Sequence, residues 1–512
     1  MKTPILGSAY VARSVNAADN RMVNLFPEVV PEGGKEPAYL QRAPGLNFQQ
    51  TVGTGPIRGL WAHQTNGSDF YVVSGSGFYK LTGLTATPTL LGTVAGTGPV
   101  SIADNGTQIF IATNPDAYIY NEATGAFGPI TDPDFPGAVT VAYLDGYFVF
   151  NEPDTQKIWV TSLLDGTSID PLEFASAEGS PDGVVSVFTD HRELWVFGTD
   201  TTEVWYNTAA TDFPLGPIPG AFNELGCAAP YSVAKMDNQI YWLGQDARGR
   251  GMVYKAAGYI GQRVSTHAVE WQIQQYTDIS DATAYTYQQD GHSFYVLNFP
   301  SANATWVYDA ATGAWHERAG FVNGELTRHR GNNMCNFLGN IIIGDFENGN
   351  IYTFDLDVYQ DNGQPQKWLR SWRALPTGSN DLKRTAHHSL QLDCETGVGL
   401  NLYPAEDDRE LVTESGDFIA AEDGLLLVAP AYPAAPGYDP QVMLRWSSNG
   451  GHTWSNEHWT SMGKIGEYGQ RAIWRRLGMT IKIRDRVYEV SGTDPVRVYI
   501  MGAELILSGT LY

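Results

Sequence analysis

The sequence predicts an all-β chain: a β-propeller of about seven blades, with six to eight compatible with the pattern, plus a C-terminal antiparallel β-sandwich-like domain and an extended N-terminal arm. Three observations carry this reading. The 512 residues include 55 Gly and 28 Pro with 12% aromatic and only 17% charged residues, which fits short aromatic strands joined by tight turns rather than helical bundles. A strand–turn–strand unit recurs along most of the chain. Beyond Asp361-Asn362-Gly363-Gln364-Pro365 the texture changes to longer alternating strands. A hydrophobic content of 43% is enough to bury a large core, so disorder is excluded.

Taken in order, residues 1–50 alternate polar and Pro/Gly-rich stretches with few strand signals, and read as an arm that needs another surface for order. Residues 51–365 hold the repeats. The first runs Ile57-Arg58-Gly59-Leu60-Trp61-Ala62, turns at Asn66-Gly67, and continues through Phe70-Tyr71-Val72-Val73 to Phe78-Tyr79-Lys80-Leu81. Later copies turn at Asn105-Gly106, Asp145-Gly146, His191-Arg192, Asp237-Asn238, Asp290-Gly291 and Leu338-Gly339, at spacings of 39, 40, 46, 46, 53 and 48 residues. Asn-Gly and Asp-Gly suit a type I′ hairpin turn, whose two central residues both take positive φ. A hairpin with one or two further strands every ~40–50 residues describes a propeller blade, which buries its faces only against its neighbours.

Residues 366–512 read as an antiparallel sandwich, with strands at Ser389–Leu392, Val442–Trp446, Met479–Ile483 and Val496–Ile500, and a loop over 405–440. The net charge is −24, yet residues 441–512 carry nine Lys/Arg against six Asp/Glu, a net of +3, leaving −27 on the rest. So acidic a surface repels nucleic acid, while the asymmetry suits contacts between opposite-sign patches. Three widely spaced cysteines, Cys227, Cys335 and Cys394, read as buried free thiols from a reducing cytoplasm. The first residues lack the apolar run of a signal peptide, and no stretch of 18 apolar residues occurs, so a soluble protein without a membrane segment is expected.

No catalytic constellation stands out. His387-His388 is adjacent, so on a strand the two rings point to opposite faces and cannot share a metal. The run Gly244–Gly251 reads as a loop between strands, and Asp104-Asn105-Gly106 and Asp345–Gly349 read as capped turns without calcium-loop spacing. Ser447-Ser448-Asn449-Gly450-Gly451-His452-Thr453-Trp454 resembles the Asp-box hairpin of sialidases and related propellers, with Asn449 at the Asp position; in that family the turn is structural. The recurrence of Trp159, Trp195, Trp205, Trp242 and Trp306 at equivalent strand positions argues for packing between blades rather than sugar stacking. No cofactor, metal or enzymatic activity is expected.

Several segments resemble the packaged-DNA stabilisation proteins of short-tailed bacteriophages, also called tail hub or nozzle proteins. They are Ser14–Pro27 with Arg42-Ala43-Pro44-Gly45-Leu46, Glu203–Asn207, Gln262–Glu270, Trp446–Trp454 and Arg471–Gly478. The resemblance implies a virion structural protein of the tail, made in the host cytoplasm. It implies a homohexamer below the portal–adaptor ring that extends the DNA channel, retains packaged double-stranded DNA without reading its sequence, and anchors a tailspike or tail fibre and the tail needle or plug. Arg263, Arg475 and Arg476 are the candidates for subunit or adaptor contacts. The alternative is a carbohydrate-binding or sialidase-like glycosidase propeller, resting on the aromatic content and the single Asp-box-like turn.

Overall fold

The computed structural model describes residues 1–512 apart from 15–17, 33, 35, 64–68, 178, 212, 375–382, 402–435, 481–485 and 510–512. Seven sheets, each with an antiparallel run of blade strands, stand around a central channel of about 400 Å³ lined by their innermost strands, with Arg58, Ser101, Thr140, Ser186, Thr283 and Asn333 among the lining residues. The inner strands of successive blades start at Ile57, Ser101, Val141, Val184, Ala234, Thr283 and Gly331. Blades 1 to 6 take their outermost strands from Thr89–Thr93, Ala126–Pro129, Phe174–Ser176, Leu215–Asn223, Ile260–Arg263 and Ala314–Glu317.

Local turn chemistry explains the repeat. Asp145 and Gly146, His191 and Arg192, Asp237 and Asn238, Asp290 and Gly291, and Leu338 and Gly339 all take positive φ at both positions, the type I′ geometry. The second repeat differs. Gly106 has φ 87 but Asn105 does not have positive φ; its side-chain oxygen instead accepts from the Thr107 and Gln108 amides. The Asn66-Gly67 turn lies outside the described residues.

The ring closes because each blade interface has its own apolar cluster. Tyr71, Phe78, Ile109 and Tyr118 join blades 1 and 2, while Phe110, Phe148 and Trp159 join blades 2 and 3. Trp195, Phe197, Trp242 and Tyr254 join blades 4 and 5. Ile57, Phe70, Cys335 and Phe337 join the last blade to the first. Each fully buried Ile or Phe contributes roughly 1.5–3 kcal/mol. Hydrogen bonds between blades add register: Asp145 accepts from Arg192 and Asn207 of blade 4, and Asp237 from Gln288 and Ser293 of blade 6. Cys227 and Cys335 are buried free thiols, and burial pushes their pKa values up to about 11 and about 12.

The outer strand of blade 7 comes from the N-terminal side. Gly45–Thr51 pairs antiparallel with Asn350–Asp355, so the residues before 51 take part in the propeller. The other described strands of 1–50 are short and pair with strands of the same chain. Lys2–Thr3, Leu25–Val29 and Ala38–Arg42 join one sandwich sheet with Thr385–Cys394, Ile473–Arg475 and Tyr499–Gly509. Met22–Val23 enters the other sheet, beside Trp368–Arg373, which continues through Val487–Gly492 and Gln441–Ser447 to His458–Ser461. The physical reason is burial: Ile5, Met22, Leu25 and Leu40 all enter the core shared with Trp368, Trp372, Trp474 and Tyr488.

The last strand begins at Tyr499 and runs to Gly509, later than the expected Val496–Ile500. Of the expected strand 479–483, residues 481–483 lie outside the described residues, as does most of the expected loop 405–440.

Candidate functional site

The two domains are joined by a polar seam built from the N-terminal strands. Met22–Val23 bridges blade 6 and the sandwich: Val23 pairs with Glu317 on one side and Leu369 on the other. Arg21 donates from Nε and Nη2 to the two oxygens of Glu317, each at 2.8 Å. Asn24, fully buried with φ 51, donates from its side-chain amide to the carbonyls of Ala319 and Lys367 and accepts from the Ala319 amide. Asparagine tolerates this left-handed backbone better than most residues. Arg42, also buried, donates to the backbone oxygens of Tyr359, Gln366, Asp494 and Val496, which ties the linker after blade 7 to the last strand region. Burial lowers its pKa to about 10.

Beside the seam, buried His292 bonds Asp309 through Nδ1 at 2.8 Å and Glu28 through Nε2, linking blade 6 to Leu25–Val29. Burial opposes a charge on this ring, but the hydrogen bonds to Asp309 and Glu28 outweigh it and raise the pKa to about 9. Both nitrogens are held by carboxylates, so neither can take a proton from a nucleophile. The arrangement is an ionic clamp, not a general base. His316 nearby is buried and kept neutral, its pKa lowered by burial, Arg318 and His292.

The sequence-predicted residues fall in two places. Arg263 ends the outer strand of blade 5, and its Nε and Nη2 face the two oxygens of Glu270 on the helix α1, His267–Gln274. Arg475 and Arg476 lie far off in the chain, at the edge of the sandwich sheet; Arg475 pairs with Ser389, and Arg476 has φ 60 and donates its amide to the His388 carbonyl. Both side chains are exposed, and no ion pair to either occurs among the described residues. The structure therefore does not bring Arg263 together with the other two.

The Asp-box-like segment is a self-capped turn in which Asn449 Oδ1 accepts from the Thr453 amide and Ser447 Oγ from the Gly451 amide. Trp159, Trp195, Trp205, Trp242 and Trp306 are all buried. His387 is buried between Tyr488 and Thr385 while His388 is exposed, so the two rings do face opposite ways. The 244–251 run is a hairpin of blade 5 in which Asp246 caps the Arg248 and Gly249 amides.

Residues 1–359 match the family described as Bacteriophage P22 Gp10, beta-propeller, and residues 368–507 match Bacteriophage P22 Gp10, beta-sandwich. The chain belongs to the P22 Gp10 family. It is therefore a member of a phage stabilisation and tail hub family, as the resemblance implied. The tail hub protein gp10 of Salmonella phage P22 is 24% identical over 288 residues, a match covering 54% of this chain and 59% of that protein, so the matched part spans about three fifths of the relative's length. Solved structures similar to the chain include the N-terminal domain of Nup159, at 12% identity and TM-score 0.37 over 64% of this chain and 98% of that one. The Pan2 WD40 domain of Neurospora crassa shows 9% identity and TM-score 0.37 over 58% of this chain and 88% of that one.

Sequence reasoning missed the seam. Arg21, Asn24 and Arg42 all lie in the N-terminal segments that carry the Gp10-family resemblance, and that was the available signal. Their partners are mostly backbone carbonyls and amides, which leave no trace in side-chain spacing. Among the described residues no helix is long and apolar enough to cross a membrane.

Proposed function

We propose that six copies of this chain form a ring below the portal–adaptor complex of a short-tailed phage, extending the DNA channel and retaining packaged DNA without catalysis. The observation that carries this reading is the pair of consecutive Gp10-family matches along nearly the whole chain, propeller first and sandwich second. The charge supports it. A chain of net −24 offers phosphates a repulsive wall along which DNA slides rather than sticks. Propeller rims present loops, the usual places for partner contacts, and these would seat the adaptor, a tailspike or fibre, and the needle or plug. Of the three arginines, Arg475 and Arg476 are exposed and suit assembly contacts, whereas Arg263 faces Glu270 and holds α1.

Electron microscopy of the purified protein at high concentration, alone and with portal–adaptor rings and without imposed symmetry, tests the reading. Sixfold tubes, or sixfold density added beneath the portal, are expected. Compact monomers that ignore the portal rings would overturn it.

A further inference from the structure

On the outer face of the first sandwich sheet, an exposed isoleucine lies one strand across from an edge strand that ends in arginine, with Glu504 two residues away along the last strand. Ser389 lies opposite Arg475 on one side and Ile506 on the other, and Gln391 lies opposite Ile473 and Glu504, so these side chains share one face. Ile506 is 62% exposed. Arg471 reaches Gln391 Oε1, Arg475 ends the edge strand, and Arg476 follows it.

An acidic face lies on blade 3 of the propeller. The loop 161–173 carries Asp165, Asp170 and Glu173 and no Lys or Arg, and Asp132 accepts the Ile169 amide, which brings the acidic 132–134 turn alongside. Leu163 and Leu164 sit over Gly146, each 59% exposed. Leu164 has φ 60, a conformation that costs a leucine on the order of 1 kcal/mol, yet its amide is fixed on the Gly146 carbonyl at 2.8 Å. The Ser162 amide, bonded to the Ser168 carbonyl at 2.9 Å, closes the loop. An exposed leucine held in a strained backbone, with a second exposed leucine beside it, adds little to the isolated fold; a surface pre-ordered for contact accounts for both features.

We propose that these two faces are the halves of one contact between copies of this chain, the arginine-flanked sheet of one copy seating on the leucine loop of the next. This rests on the ring reading above and gives it a specific interface. Ile473 and Ile506 against Leu163 and Leu164 form the dry centre, with arginines and carboxylates around it setting register. The halves belong to different domains, so the contact is head to tail and propagates around a ring rather than closing as a two-fold dimer.

The test is a chain carrying Leu163→Cys and Ile506→Cys together, oxidised mildly at high concentration and resolved on a non-reducing gel. A ladder of covalent multimers is expected from the pair and from neither single variant. In parallel, Arg475→Glu with Arg476→Glu, exposed positions whose change is expected to leave the thermal transition intact, should weaken self-association at least tenfold by sedimentation. Rings that form unchanged in the glutamate variant, with no ladder from the cysteine pair, would overturn this contact and leave the ring itself standing. A parent chain that is monomeric at every concentration and also adds no sixfold density beneath portal–adaptor rings would overturn both.

Discussion

Arg21 and Glu317 meet in a bidentate pair, Nε and Nη2 each 2.8 Å from a carboxylate oxygen, between the residue just before the Met22–Val23 strand and the outer strand of blade 6. The pair sits where the blade 6 sheet runs without a break into the sandwich, in one nine-stranded order. The propeller and sandwich are thus coupled by a shared sheet and not merely by a linker.

Arg21→Lys keeps the charge but loses the two-pronged geometry, and Glu317→Gln keeps the shape but loses the charge. Each is expected to lower stability by about 1 kcal/mol, since Arg21 is partly exposed and water screens the pair. A double-mutant cycle by urea denaturation should return a coupling of about 0.5–1 kcal/mol. Strictly additive losses would show that the two side chains merely lie side by side.

Asn24→Asp is the sharper test of the seam. The substitution preserves size and tolerance of φ 51 but replaces an amide donor with a carboxylate facing the Ala319 and Lys367 carbonyls, both at 2.8 Å. A buried, unpaired charge costs on the order of 3 kcal/mol or more. Soluble yield should collapse, or the thermal midpoint should fall by several degrees, while Asn24→Gly loses less because it keeps the backbone geometry. Equal behaviour of the two variants would mean that the side-chain bonds contribute little.

The His292 clamp predicts a falling stability in mild alkali. Its folded pKa of about 9 lies above the unfolded value of about 6.5. Below 6.5 both states hold the proton and the stabilisation from Glu28 and Asp309 is complete. Between 6.5 and 9 only the folded state keeps it, so stability declines as pH rises, by on the order of 3 kcal/mol in total. His316, kept neutral by burial, does not change over this window. Thermal midpoints of the parent should drop across pH 6.5–9, and His292→Gln should be less stable at pH 6 with a flatter profile. Parallel profiles would remove His292 from the account.

What could be read from the sequence was local. Asp145-Gly146 and Asp290-Gly291 declare their turns because two adjacent residues hold the whole requirement for positive φ. The strand Trp368–Arg373 gave no such signal, since all six residues are buried and no alternation marks a wet face. Val487–Gly492 is hidden for the same reason. Two-residue strands such as Met22–Val23 are too short for any period. Arg263 was visible as a charge, but its partner Glu270 became visible only once α1 turned it back toward the strand.

The ring closure also depends on one residue that periodicity does not mark. Gly45 opens the strand that completes blade 7; its amide donates to the Val358 carbonyl at 2.7 Å, and a Cβ there would stand 2.4 Å from the Gln360 oxygen and 2.5 Å from the Val358 oxygen. These are backbone atoms, which cannot swing aside as a side chain could. Gly45→Ala must therefore move the closing strand, loosen its pairing with Asn350–Asp355, and open the seam between the last blade and the N-terminal strands. A loss of about 2–3 kcal/mol is expected from the overpacking alone. Gly128, in the outer strand of blade 2, has nothing within 4 Å of its Cβ position and no positive φ, so Gly128→Ala should change stability by less than about 0.5 kcal/mol. Hydrogen exchange read by mass spectrometry should show protection lost in 45–51 and 350–355 of the Gly45 variant, with blades 2 to 4 unchanged. Uniform loss across all blades would mean that the ring opens only as a whole, and equal stability of the two variants would show that the closing strand is not held by this close approach.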